Sequence, residues 1–355
     1  MKNTLLSFFI VMLFACKCNA KGELKYLYYH ECIRTIENDF FEKRDTTKNI
    51  LARYSELFEE YDFVYLQDCY TAMQLAILLG DEQYFMKFAE IATKNGLNKS
   101  NLSNFRYILQ SDFYRNNEAA ISSLITVNRP HYLSRINKEL LTEVIKIYAL
   151  DQAQKNGFPG ESFAHYNDRY KKAYNAELMT LLELVKKYGM PCDRLIGVDQ
   201  NDILKELGVH DKDLKDYYKM YKEAYNTTYN VTRSQYELED QFAASTLLIP
   251  LMWHGHCSYS TLRPFLKDEL EKGNIHPRDI AIIKDEDYRT MNVCETARDS
   301  VYYNIGNELL LKLPRQKVNL YRTRNFICSL ESDSVKIIYQ NKYKMTLSYG
   351  FVGKR

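Results

Sequence analysis

The spacing of large apolar residues limits the fold of this chain more than any other feature. Over residues 66–78, and again over 84–92, apolar side chains recur at intervals of three and four, which is the period of a helix with one buried face. Gly80-Asp81 separates the two runs, and Gly96 follows the second where a helix C-terminus favours glycine. The pattern predicts a pair of helices joined by a short turn.

The same helical pattern continues through most of the chain. Apolar stripes cover residues 136–148 and 170–185, and Gly189 followed by Pro191 predicts the end of the second helix. Residues 335–339 and 345–349 instead alternate and are rich in β-branched and aromatic types, which predicts a β-hairpin. We therefore expect a mainly α protein: helical hairpins over 21–130, a helical domain over 134–330 and a short C-terminal β-hairpin over 331–355.

The first twenty residues are typical of an export signal. Lys2 precedes an apolar run over residues 5–14, which is too short to span a bilayer. Cleavage after Ala20 and lipidation of Cys16 as a bacterial lipoprotein are both compatible with the residues that follow. Either route predicts an exported protein that is periplasmic, extracellular or lipid-anchored in the cell envelope.

Charge and cysteine content exclude several classes of function. The formal net charge is +2, and removal of residues 1–20 takes away two lysines and no acid, so the mature chain is neutral. Neutrality argues against nucleic acid as a partner and against membrane binding by charge alone, so a membrane contact would require the lipid on Cys16. Six cysteines remain and form no C-x-x-C pair, so we expect mostly buried thiols with one or two disulfides.

Histidines supply one hypothesis for a metal site. His254 and His256 would share a face on a β-strand and could then bind one Zn²⁺ with His276, Asp285 or Asp287 as a third ligand. On a helix the same spacing turns the two rings away from each other, and the preceding sequence favours a helix. No Walker loop, dinucleotide fingerprint, zincin motif or nucleophile elbow is present, and no cofactor is predicted.

Two resemblances add to these patterns. The unit over 66–96 resembles one helix pair of the tetratricopeptide type. Residues 135–330 resemble an uncharacterised bacterial domain-of-unknown-function family in the order of their short motifs, which include Tyr188-Gly189-Met190-Pro191, Leu195-Ile196-Gly197, His254, Glu271-Lys272-Gly273, Ile275, Pro277, Ala281, Asp285 and Asn319-Leu320-Tyr321-Arg322. The second resemblance implies a mainly helical domain and carries no activity that can be transferred.

Recurrent polar positions of that family suggest where a site would form. They correspond here to Asp151, Asp168, Arg169, Asn175 and His254. Together such groups could perform acid–base chemistry or bind an anion, and as a buried ion-pair network they would only fix helix packing.

Two hypotheses of function follow. The first is a non-enzymatic binding protein of the cell envelope with a protein, peptide or glycan ligand. Its support includes a row of tyrosines at 217, 221, 225 and 229, which is either an aromatic platform or a core-packing stripe. The second is a hydrolase-like enzyme that uses His254 with Asp151 or Asp168, with or without a metal.

Overall fold

A computed structural model describes residues 26–47, 49–154, 161–209, 214–217, 219–220, 223, 257–289 and 314–347. This part of the chain is mainly helical, as predicted. Its helices are α1 (Tyr26–Phe41), α2 (Asn49–Glu59), α3 (Leu66–Leu78), α4 (Glu82–Lys94), α5 (Lys99–Leu102), α6 (Arg106–Leu109), α7 (Asp112–Ser134), α8 (Lys138–Gln154), α9 (Phe163–Tyr188), α10 (Asp193–Ile196), α11 (Gln200–Glu206), α12 (Ser258–Glu271), α13 (Pro277–Arg289), α14 (Arg315–Arg324) and α15 (Leu330–Tyr343).

The first hydrophobic core is built by α1 to α7 and is rich in aromatic rings. Helices α3 and α4 form the pair predicted over residues 66–96, and Asp81 begins α4 by accepting a hydrogen bond from the Tyr84 amide. Gly80 and Gly96 end the two helices with φ of +69° and +107°, a conformation that an L side chain rarely adopts. The local pattern of the sequence thus predicted this hairpin correctly.

The second hydrophobic core lies among α8, α9, α12 and α13. Helix α9 ends at Tyr188, and Gly189 follows with φ of +93°, as the sequence predicted. Helix α7 leads from the first core to the second and ends at Ser134, so the boundary expected between residues 130 and 134 falls in its last turn. Tyr65 of the first core donates a hydrogen bond to the Gly273 carbonyl, which ties the two cores together.

The predicted C-terminal β-hairpin is wrong. Residues 335–339 lie within helix α15, and the described part of the chain contains no β-strand. Ser329 begins α15 by accepting from the Ser332 amide, and Val335, Tyr339 and Tyr343 pack one turn apart against the first core. The spacing of residues 335–339 fits a helical period as well as an alternating one. Packing against the first core favours the helix, because it places Val335, Tyr339 and Tyr343 on one face.

Four of the cysteines, Cys32, Cys69, Cys192 and Cys328, are free thiols, and Cys257 is disulfide-bonded. Among the described helices, none combines the length and the apolar content needed to cross a membrane. Several predicted features lie outside the described residues: the export signal over 1–20, three of the four tyrosines in the predicted row, and both His254 and His256.

Candidate functional site

The acidic residues proposed for catalysis lie in different environments. Asp151, near the end of α8, is fully buried, and the Tyr170 hydroxyl lies 3.4 Å from its carboxylate. Asp168, on α9, is largely exposed and pairs with Lys172 at 3.1 Å. One carboxylate is therefore enclosed and the other faces solvent, so they do not line a common solvent-exposed surface.

Arg169 and Asn175 do not join the two aspartates. The Arg169 guanidinium donates to the Glu161 carboxylate at 2.9 and 3.1 Å and to the Gln154 side-chain oxygen at 2.9 Å. Asn175 is exposed on α9. Arg169 thus links the start of α9 to the end of α8, which is a role in helix packing.

His276 is the one proposed metal ligand whose side chain the structure describes. Its ring is buried against His30, with the ring centroids 5.7 Å apart, and its Nδ1 accepts from the Arg278 amide at 3.2 Å. Within the described ranges, no three His, Cys, Asp or Glu side chains are arranged to hold a metal ion.

The two histidines belong to a sealed polar cluster centred on Glu37 of α1. The Glu37 carboxylate accepts from Lys336 at 2.7 Å and from the Cys328 thiol at 2.8 Å, and Arg278 lies 3.3 Å away. Glu37 and Lys336 are almost completely buried. The cluster joins α1 to α13 and to the C-terminal helix α15.

Burial sets the protonation of this cluster. It lowers the pKa of His30 to about 3, and it lowers the pKa of His276, to which the charges of Arg278 and Lys336 add. Asp68 accepts from the Tyr29 hydroxyl at 2.7 Å, and burial followed by the charge of Glu37 raises its pKa to about 7. These are the perturbed groups that often mark an active site.

Access argues against such a role. The cavity between His30, Glu37 and Cys328 measures about 10 Å³, which is at most the space of one water molecule. Burial opposes the ionisation of Glu37, yet Lys336 and Arg278 lower the pKa of its carboxyl overall. The cluster is therefore an enclosed ion pair with neutral histidines beside it.

A cleft of about 760 Å³ opens between the two cores. Four parts of the chain meet there: the start of α1, the loop after α2, the short helix α10 and the end of α12 with its following loop. The lining consists of Tyr26, Glu60, Tyr61, Asp62, Arg194, Leu195, Asp268, Glu271, Lys272 and Asn274.

Arg194 braces one wall of the cleft. Its guanidinium donates to the Asp62 carboxylate at 2.8 Å and to the Lys272 carbonyl at 2.5 Å, and it lies over the Tyr26 ring with 5.2 Å to the centroid. The Tyr26 hydroxyl lies 2.9 Å from both Asp62 Oδ1 and the Phe63 carbonyl. One arginine thus holds three segments in place, and the wall is formed before any ligand arrives.

The chemistry of the cleft is polar and slightly acidic. Four carboxylates and two basic side chains line it, over a floor of two buried tyrosines. Burial, opposed by Arg194 and helped by Asp62, raises the pKa of the Tyr26 hydroxyl far above its usual range, so this group stays a neutral donor. Such a lining binds polar groups by hydrogen bonds and favours positive over negative charge.

Sequence reasoning missed the cleft, although one signal for it was present. Gly273 has φ of +73°, and a Cβ there would lie 2.6 Å from atoms of the Tyr26 ring. Glu271-Lys272-Gly273 and Leu195 belong to the motifs quoted above for the family resemblance, and three of these residues line the cleft. Gly273, where only a glycine allows the backbone to approach the Tyr26 ring so closely, was the sequence signal for this cleft.

Comparison with known proteins gives no family or relative from which a role for this site could be inferred. The chain matches no protein-family model, and neither curated proteins nor solved structures gave a similar protein. The resemblances described for residues 66–96 and 135–330 stay predictions, and the site has to be interpreted from its geometry.

Proposed function

We propose that the protein is an exported binding protein of the cell envelope and that the Arg194 cleft is its ligand site. The observation that carries the proposal is the braced wall of the cleft, where Arg194 joins Asp62, Lys272 and Tyr26 around an open volume of about 760 Å³. That volume is within the range of small-molecule and peptide sites.

The lining indicates the class of ligand. Carboxylates at Asp62, Asp268 and Glu271 accept hydrogen bonds from hydroxyl and ammonium groups, and the Asn274 amide supplies both donor and acceptor. Since carboxylates outnumber basic side chains around the cleft, an anionic ligand would be repelled. The proposed ligand is a peptide or glycan segment that is neutral or positively charged.

Two further observations support export and binding. The apolar run over residues 5–14 favours export, and the disulfide at Cys257 fits an oxidising compartment. The perturbed acids and histidines near Glu37 are enclosed, whereas the open cleft has no nucleophile–base pair among its lining residues. An open, preformed polar surface is sufficient for binding, whereas catalysis would also need a nucleophile–base pair or another reactive group in the cleft.

The test is a binding screen with a matched pair of variants. Isothermal titration with basic, neutral and acidic peptides and oligosaccharides is expected to show binding of basic or neutral probes. Asp268→Lys with Glu271→Lys reverses two charges of the cleft and should weaken that binding about tenfold or more. Glu56→Lys with Glu118→Lys reverses two exposed charges on α2 and α7 and should leave the affinity unchanged.

Two results would overturn the proposal. Equal affinity of the cleft variant and the unaltered protein would place the ligand elsewhere. Conversion of a probe into product, detected by mass spectrometry and lost on His254→Ala, would replace binding with the enzymatic hypothesis.

A further inference from the structure

The charges of this nearly neutral chain are unevenly distributed. Residues 314–347 contain seven Lys or Arg and two acidic residues, a formal charge of +5. The rest of the chain is consequently acidic overall. This basic segment is the hairpin of α14 and α15, which packs its inner side on the first core through Val335 and Tyr339.

The basic side chains of the hairpin point mostly to solvent. Arg315, Lys317, Arg324, Lys342 and Lys344 are exposed, and only Arg322 and Lys336 are buried. Both acidic residues are engaged within the hairpin. Glu331 accepts from Asn319 at 2.6 Å and lies 3.7 Å from Arg315, and Asp333 pairs with Arg322. The outer surface of the hairpin is therefore cationic.

Large aliphatic side chains stand among these cations. Leu320 is 48% exposed, Ile337 53% and Ile338 58%. The described residues contain seven exposed large hydrophobic side chains, and the other four are scattered over the rest of the chain. Exposed aliphatic groups beside several cations are the two components of an interfacial membrane contact.

We propose that the outer surface of the α14–α15 hairpin docks on an anionic membrane. The positive charges are drawn to acidic headgroups, and the aliphatic side chains enter the boundary between headgroups and acyl chains. A nucleic acid would use the cations, but its phosphate backbone offers nothing to Leu320, Ile337 and Ile338. The proposal is independent of the ligand of the cleft.

The experiment is co-sedimentation of the full chain with vesicles of phosphatidylcholine, with and without phosphatidylglycerol. We expect binding that rises with the anionic lipid and falls with added salt. Lys317→Glu with Arg324→Glu and Lys342→Glu should reduce partitioning on the order of a hundredfold, because each lost cation near the surface costs about fivefold. Every protein keeps the same N-terminal residues, so differences between variants report the hairpin.

The matched control is Lys99→Glu with Lys171→Glu and Lys267→Glu, which changes the net charge equally at exposed positions on α5, α9 and α12. It should bind anionic vesicles far better than the hairpin variant. Equal losses in the two triple variants would show a net-charge effect and overturn the proposal, as would equal binding of the unaltered protein to neutral and anionic vesicles. Urea denaturation of each variant verifies that the fold is retained.

A second variant separates membrane from nucleic acid. Ile337→Ser with Ile338→Ser retains every charge and should lower vesicle binding about tenfold, while any binding to duplex DNA stays the same. If this variant binds anionic vesicles like the unaltered protein, and the charge variant loses binding to duplex DNA, the surface belongs to a nucleic acid and the membrane proposal is wrong.

Discussion

The sealed cluster around Glu37 and the open cleft around Arg194 use similar chemical groups under opposite conditions. In the cluster, Glu37 and Lys336 are at most 4% exposed beside a cavity of about 10 Å³. In the cleft, Asp62 is 70% exposed beside about 760 Å³ of open volume. Breaking a buried pair leaves a charge without water, whereas an exposed carboxylate is resolvated at once. The degree of burial, more than the residue type, therefore determines whether these charged side chains stabilise the fold or are free to bind a ligand.

The largest expected effect comes from removing one partner of the sealed pair. Lys336→Met leaves Glu37 buried with Arg278 as its remaining cation, and we expect a loss of about 3–5 kcal/mol in the free energy of unfolding. Lys342→Met, an exposed position on the same helix, should change it by less than about 0.5 kcal/mol. Urea denaturation measures both values. Similar losses in the two variants would show that burial does not set the contribution of these lysines to stability.

Substitution of the glycine that packs against the Tyr26 ring should give the next largest effect. Gly273→Ala adds a methyl group 2.6 Å from the Tyr26 ring at a φ of +73°, and we expect a loss of about 2–4 kcal/mol. Gly80→Ala is the control, since Gly80 has φ of +69° with no atom near its Cβ position. That variant should lose only the strain of about 1–2 kcal/mol. Thermal or urea unfolding gives the difference, which isolates the contact with Tyr26.

The pH dependence of stability should come from the sealed cluster rather than from the cleft. His30 has a pKa of about 3 in the folded protein against an ordinary 6.5, and the pKa of His276 is also lowered, so both stabilise the fold above pH 6.5 and cease to do so as the pH falls. Asp68 has the opposite sign: its pKa rises from 3.8 to about 7, so its contribution is complete below pH 3.8 and lost as the pH rises through 7.

Between about pH 4.5 and 6, these three groups leave the unfolded chain with one more proton than the folded protein. Their combined contribution to stability should then fall by about 1.4 kcal/mol per pH unit on acidification. Asp68→Asn keeps an acceptor for the Tyr29 hydroxyl but removes the proton that Asp68 binds only in the folded protein. The dependence of stability on pH should therefore steepen by about a further 1.4 kcal/mol per pH unit. Denaturation curves across this pH range test it, and a slope that is the same in Asp68→Asn and in the unaltered protein would contradict it.

Local features of the fold could be predicted from the sequence, and contacts between distant segments could not. The α3–α4 hairpin and the end of α9 followed from apolar spacing and from Gly80, Gly96 and Gly189, because each depends on neighbours within a turn or two. The cleft combines Tyr26, Asp62, Arg194 and Lys272, which are separated by long stretches of chain. The spacing of residues within one helix carries no information about contacts between such distant segments.

The error at residues 335–339 has the same origin. Val335 and Tyr339 suit a strand by residue type and a helix by spacing, so the local pattern was ambiguous. The helix is selected by Glu37, which lies 299 positions earlier and pairs with Lys336, and by the first core, against which the partly buried Val335 and Tyr339 pack. Lys336 lies within an apolar run, and a lysine in that position indicates a buried carboxylate partner elsewhere in the chain.

The pairing of Glu37 with Lys336 also governs when the molecule can fold. During synthesis, α1 emerges almost three hundred residues before the helix that neutralises its buried carboxylate, so the N-terminal core stays incomplete until nearly the whole chain has been made. Closing a contact of such long range is slow. A chain built this way completes its first core late, which is compatible with the export proposed above.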